Sequence, residues 1–211
     1  MINWKELSNE IRQTLPGIRL LEEEPLARHT SFRIGGPAAV FAQPSSAEEL
    51  AALLRLLSEK NIRPRVLGAG TNVLAPDEGL REVVVCTKDA LLGLTGLGGG
   101  EIEAGAGETL SKTAVFARNL GLTGLEFAHG IPGTVGGGIY MNAGAYAGAL
   151  IEQAQLKGVR VGGACVSEKH AGFVVNTGGA TAQDVRALIA LIQKRVFETS
   201  GFHLQPEVRI W

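Results

Sequence analysis

The chain has 211 residues, 20 Lys and Arg against 21 Asp and Glu, a formal net charge of -1 and 45% hydrophobic residues, apolar enough for one large or two small domains with a sizeable core. Its basic residues are scattered, which argues against a nucleic-acid partner, and its two cysteines and four histidines have neither disulfide-framework nor metal-ligand spacing, so no metal is expected. No stretch approaches a membrane span and the amphipathic start Met1-Ile-Asn-Trp-Lys-Glu-Leu7 lacks a signal-peptide core, so the expected setting is the cytoplasm, with no membrane partner.

In chain order, the pattern predicts an opening helix to about Leu15, then strands over Thr30 to Ile34 and Val40 to Ala42. Ser46-Ala-Glu-Glu49 reads as a capping box before a helix with Leu50, Leu53, Leu54 and Leu57 on its buried face. Short strands follow at Arg65 to Leu67 and Val83 to Cys86, then a loop or hairpin from Leu91 to Gly100 and a strand at Glu101 to Glu103. Gly107-Glu-Thr-Leu-Ser-Lys-Thr113 has a Walker-like ending, but Ser111 stands where that loop needs glycine. Thr109 followed by Leu110, Ala114 and Ala117 reads better as the start of a helix reaching Asn119. Strands are expected at Val159 to Val161 and Phe173 to Asn176. A last helix is capped by Thr181 and Gly201, with Val185, Leu188, Ile189, Ile192 and Val196 at helical spacing. Cys86 and Cys165 lie in apolar contexts and are expected to be buried.

Two glycine clusters stand apart from this pattern. From His129 to Tyr146, Gly130, Gly133, Gly136, Gly137, Gly138 and Gly144 interrupt an apolar run, which implies positive-φ positions and close approach of backbone to a ligand such as a cofactor, or else a glycine-rich loop. Val66-Leu-Gly-Ala-Gly-Thr-Asn-Val-Leu74 ends a short apolar run in a turn that is either an anion-binding nest suited to a diphosphate or an ordinary β-turn. It is not a dinucleotide fingerprint, because Val73 replaces the third glycine.

These segments resemble the UDP-N-acetylenolpyruvoylglucosamine reductase (UDP-N-acetylmuramate dehydrogenase, MurB) family. The resemblance rests on His29-Thr-Ser-Phe-Arg-Ile-Gly-Gly-Pro37, Gly68-Ala-Gly-Thr-Asn-Val-Leu74, Glu103-Ala-Gly-Ala-Gly107, Gly130-Ile-Pro-Gly-Thr-Val-Gly-Gly137 with Met141-Asn-Ala-Gly144, Val166-Ser-Glu-Lys-His170 and Pro206-Glu-Val-Arg-Ile210, in the family's order. It implies an α+β chain: a first FAD-binding subdomain over 1–90, a partial second one over 91–148, and a truncated α+β remnant of a substrate domain with a C-terminal strand over 149–211. The cofactor-binding residues it implies are Gly68, Ala69, Gly70, Thr71, Asn72, Gly130, Ile131, Pro132, Gly133, Thr134, Gly136, Gly137 and Asn142.

The activity implied is an FAD-dependent reduction of UDP-N-acetylglucosamine enolpyruvate to UDP-N-acetylmuramate in peptidoglycan precursor synthesis, with NADPH as reductant and a UDP-sugar as substrate, by a monomer or weak homo-oligomer. The family's catalytic glutamate corresponds to Glu207, whereas its proton-donor serine and substrate arginine have no counterpart. After Tyr146 the chain runs directly into Ala147-Gly-Ala-Leu-Ile-Glu-Gln-Ala-Gln-Leu-Lys-Gly158, which resembles a family helix from beyond a segment carrying both. This reads as an internal deletion, natural or made in the laboratory. It also leaves open a catalytically silent FAD-binding remnant or minimal flavin scaffold, or a flavoprotein acting on another substrate.

Overall fold

The computed structural model describes residues 2–141 and 147–211, and these form two units interleaved along the chain. The first takes in the described residues of Met1–Pro25, Pro37–Thr71 and Leu80–Ala143; the second those of Leu26–Gly36, Asn72–Gly79 and Gly144–Trp211.

In the first unit, α1 (Trp4–Thr14) begins where the Asn3 side chain accepts the Glu6 N–H, and it buries Leu7 and Ile11. Strand β1 (Arg19–Pro25) pairs antiparallel with β2 (Pro37–Gln43), and α2 (Ala47–Glu59) leads to β3 (Arg65–Leu67). The next strand of the chain, β4 (Val73–Leu74), belongs to the second unit, and β5 (Leu80–Cys86) returns to the first. Parallel pairing of β5 with both β2 and β3 gives a four-stranded sheet in the order β1-β2-β5-β3. Alternate residues Val40 and Ala42 of β2 and Val83 and Val85 of β5 meet Leu7 and Ile11 of α1 and Leu50, Leu53 and Leu57 of α2 in one apolar cluster. Burying a leucine such as Leu53 contributes about 1.5–3 kcal/mol. A hairpin of β6 (Leu94–Gly98) and β7 (Glu101–Ala104) precedes α3 (Leu110–Asn119), a short 3₁₀ turn (Glu126–Gly130) and α4 (Val135–Met141).

In the second unit, α5 (Ala147–Gln153) is followed by the antiparallel strands β8 (Arg160–Val161), β9 (Ala164–Val166) and β10 (Val174–Asn176), with β9 central. Helix α6 (Ala182–Ser200) packs Val185, Leu188, Ile192 and Val196 into a cluster with Val166, Ile151, Phe32, Ile34 and Leu74. Strand β11 (Arg209–Ile210) pairs parallel with β4, Arg209 opposite Val73. Among the described residues, no helix is long and apolar enough to cross a membrane.

The sequence pattern misplaces three features. Thr30 to Ile34 is a turn, not a strand: the Thr30 hydroxyl donates to the Ile34 carbonyl at 3.1 Å, and Arg33 (φ 54°) and Gly35 (φ 129°) bend the chain. Phe32 and Ile34 alternate because both enter the second core, without ladder pairing. Strand β1, dominated by Glu22, Glu23 and Glu24, has no apolar alternation to reveal it. On α2 the buried face is Leu50, Leu53, Leu56 and Leu57, with Leu54 exposed, and the Glu49 carboxylate accepts the N–H of Ser45 at 2.7 Å instead of closing a box on Ser46. Leu91 to Gly100 contains the first strand of a hairpin, and α3 starts at a Thr109 side chain that accepts the Lys112 N–H at 3.1 Å, as the non-Walker reading requires.

Candidate functional site

Strand β3 ends at Leu67 and the chain turns through Gly68, Ala69, Gly70 and Thr71, with Gly70 buried and left-handed at φ 67°. The N–H groups of Gly68, Ala69, Gly70, Thr71 and Asn72 donate no hydrogen bond to another described residue. Gly68 to Thr71 thus leave four consecutive backbone donors unused around a left-handed glycine, the feature that anion-binding nests share. At the base of this turn, the Cys86 thiol donates to the Gly68 carbonyl at a sulfur–oxygen distance of 3.6 Å. Burial pushes the Cys86 thiol above its ordinary range, so it remains a protonated donor.

The second glycine segment meets the first within the same unit. The Thr71 hydroxyl donates to the Pro132 carbonyl at 3.2 Å, bridging 61 positions of sequence. The approach is close: a Cβ added to Gly68 would lie 2.7 Å from Thr134 Oγ1, and one added to Gly133, whose φ is 137°, would lie 3.0 Å from Thr71 Oγ1. Thr134 is buried, and its hydroxyl accepts the Gly137 N–H at 3.2 Å. Gly68, Ala69, Gly70 and Thr71 are thus assembled with Pro132, Gly133, Thr134 and Gly137.

The expectation of positive-φ positions in this second segment holds at one described glycine. Among the described glycines from 130 to 138, only Gly133 is left-handed, and Gly136, Gly137 and Gly138 lie inside α4. Gly136 is small because of its own chain: its N–H donates to the Ala106 carbonyl at 2.9 Å, and a Cβ there would stand 2.9 Å from that of Ala106. Gly130 differs, with open space where its Cβ would project. Ile131 is half-buried between the two. Asn142 lies outside the described residues.

Asn72 and Glu207 come together in the second unit. The Asn72 side-chain amide donates to the Glu207 carbonyl at 2.8 Å, and the Arg209 N–H donates to the Asn72 carbonyl at 3.0 Å. This fixes the backbone of Glu207 while leaving the residue exposed, so its carboxylate is available to solvent or a ligand.

Sequence reasoning gave no role to Glu108, which is 4% exposed. Its carboxylate accepts the Gly93 N–H at 3.0 Å and pairs with Lys112 at 2.8 Å. The Lys112 ammonium, reinforced by the Gly93 N–H, holds the carboxyl below the usual carboxylate range despite its burial. The four-residue spacing of Glu108 and Lys112 at the start of α3 is the signal that could have found the pair. A groove at the start of α1 is lined by the polar residues Asn3, Lys5, Glu6, Asn9, Glu10 and Gln13, without the hydrophobic and aromatic side chains that line small-molecule pockets.

The family model for the UDP-N-acetylenolpyruvoylglucosamine reductase C-terminal domain matches residues 111–211. A UDP-N-acetylenolpyruvoylglucosamine reductase of Caldanaerobacter subterraneus is 35% identical over 296 aligned positions, with 97% of each chain covered. This chain belongs to the UDP-N-acetylenolpyruvoylglucosamine reductase family. The Heliobacterium modesticaldum reductase is 34% identical over 283 positions, covering 90% of each chain. The crystal structure of the Thermus caldophilus reductase superposes with a TM-score of 0.67 at 25% identity, covering 92% of this chain and 99% of that one. The alignments of 296 and 283 positions are longer than the 211 residues of this chain, so these reductases hold residues with no counterpart in it.

Proposed function

We propose that this chain is an FAD-dependent reductase of peptidoglycan precursor synthesis that converts UDP-N-acetylglucosamine enolpyruvate to UDP-N-acetylmuramate with NADPH as reductant. The reductase relatives support the class of reaction. The flavin assignment rests on one observation, the meeting of two glycine segments beside the four unused backbone N–H groups of Gly68 to Thr71. That donor set fits the diphosphate of FAD, which needs several N–H groups converging on two adjacent anionic groups.

Gly68, Ala69, Gly70, Thr71 and Asn72 hold the diphosphate in this reading, and Gly130, Ile131, Pro132, Gly133, Thr134, Gly136 and Gly137 form the second wall of the cofactor site. When bound, FAD would take hydride from NADPH and supply it to the enolpyruvyl carbon. Glu207 takes the role the family resemblance gives it, stabilising charge on the substrate carboxylate as part of the electrostatic preorganisation such a step requires. The proton for the neighbouring carbon is assigned neither to Ser111 nor to Ser167, because both lie outside the block in which the resembled family carries its proton-donor serine. The substrate is a UDP-sugar small molecule and the setting the cytoplasm, with no nucleic acid or membrane as partner and a monomer or weak homo-oligomer as the working form.

The test is the visible spectrum of the protein after incubation with FAD and gel filtration, followed by anaerobic NADPH and then the enolpyruvyl substrate. A retained flavin band that bleaches with NADPH and recovers with substrate supports the whole assignment. A band that bleaches without turnover removes the reductase activity and keeps the flavin site, whereas a folded protein that retains no flavin refutes the cofactor assignment.

A further inference from the structure

The turn Gly105-Ala-Gly-Glu108 joins three parts of the first unit. On one side, the Gly105 and Gly107 N–H groups donate to the Gly93 and Leu91 carbonyls, each at 2.8 Å. On the other, the Gly136 N–H donates to the Ala106 carbonyl at 2.9 Å, the Val135 N–H to the Glu108 carbonyl at 2.7 Å, and the Leu110 N–H to the Gly133 carbonyl at 3.0 Å. Thr109 and Thr134 face each other in an isolated antiparallel bridge within this ladder. The turn thereby sets the path of the backbone from Gly133 to Gly136.

Glu108 is the side chain that locks the turn. One residue holds all three parts: its carboxylate takes the Gly93 N–H and the Lys112 ammonium, and its carbonyl takes the first N–H of α4. The carboxylate is almost fully removed from water, where such charge-assisted bonds are strong and leaving a partner unpaired is costly. Gly133 and Gly137 are in turn the residues that touch Thr71 and Thr134 beneath the diphosphate turn.

We propose that Glu108 is a positioning residue for the flavin site, holding the Gly133–Gly137 backbone in register with the Gly68–Thr71 turn through its simultaneous hold on Gly93, Lys112 and Val135. This rests on the flavin reading above. Removing the carboxylate frees the Gly93 N–H and the Lys112 ammonium, and the turn under α4 loosens without loss of the sheet core.

Fluorescence titration with FAD of the unsubstituted chain, E108A and E108Q tests this, together with hydrogen exchange of the Val135 and Gly136 amides in flavin-free protein. E108A is expected to raise the FAD Kd about tenfold or more and to speed exchange at both amides. E108Q keeps an oxygen for Gly93 but loses its pull on Lys112, and is expected to raise Kd about threefold. L53A, which thins the sheet core, lowers Tm while keeping the parent Kd, separating positioning from general destabilisation. Failure of the unsubstituted chain to bind FAD overturns the flavin reading and this role with it. A parent that binds, with folded variants matching its Kd and amide exchange, overturns the role of Glu108 alone. If E108A does not fold, E108Q decides in the same way.

Discussion

Gly136 and Gly130 separate two reasons for glycine in one motif. At Gly136 a side chain would collide with Ala106 of the same unit, so G136A forces α4 away from the turn beneath it; overpacking of this kind costs about 1–3 kcal/mol. At Gly130 a side chain meets nothing within 4 Å, so G130A should fold with the parent Tm. Thermal unfolding without flavin, then an FAD titration, distinguishes the two: G136A loses stability and flavin affinity together, while an affinity loss confined to G130A would mark it as a surface the cofactor touches. The density of glycine was legible in the sequence, and so was the association of the segments through family resemblance. Which glycines serve backbone packing was not, because that depends on Ala106 and Thr134 arriving from elsewhere in the chain. Ser8 makes a second residue-scale point. Its hydroxyl is buried without a hydrogen-bond partner among the described residues, so S8A should stabilise the protein by about 1 kcal/mol, read as a higher urea midpoint with an unchanged slope.

At the scale of elements, helices were read well where caps and apolar spacing agree, and α6 shows why. Thr181 accepts the Asp184 N–H at 3.1 Å, the Asp184 carboxylate accepts the Thr181 N–H at 3.0 Å, and Gly201 closes the helix at φ 74°. All three signals are local, so they survive without knowledge of the fold. Strands β1, β4 and β11 carry no such local mark; two residues of β4 become a strand only because Arg209 and Ile210 pair with them. The cap also predicts a pH response. Hydrogen bonds from the Thr181 and then the Gly163 N–H hold the Asp184 carboxyl below its ordinary value. A carboxyl lowered on folding contributes its stability in full above its unfolded value, and that contribution is lost as pH falls through the folded value. Tm should therefore fall more steeply on the acid side in the parent than in D184N, and equal acid slopes would remove Asp184 as a contributor. T181A, which deletes the acceptor at the cap, is expected to cost about 1 kcal/mol by urea unfolding at neutral pH.

For the whole molecule, the order of elements along the chain differs from the order in which they share a core. The second unit draws Phe32, Ile34 and Leu74 from two short segments far ahead of its main span, and β11 has β4 as its partner strand. Those segments also bring hydrogen bonds: the Asn176 side-chain amide donates to the Phe32 carbonyl at 2.9 Å, and Asp77 accepts the N–H of Ala182 at the start of α6 at 2.8 Å. Periodicity reads one segment at a time and cannot report such borrowing, because apolar residues at 32 and 34 look the same whichever core they enter. The borrowing makes the C-terminal span dependent on the rest of the chain. A fragment of residues 147–211 would expose Val166, Val185, Leu188 and Ile192 where Phe32, Ile34 and Leu74 now cover them, and would leave β11 unpaired. Losing three large buried side chains removes about 5–9 kcal/mol, as much as many whole domains possess. The isolated fragment should thus show helical circular dichroism from α6 but no cooperative thermal transition and poorly dispersed amide resonances. A sharp transition from that fragment would mean that its own residues suffice for the core, and that Phe32, Ile34 and Leu74 only decorate it.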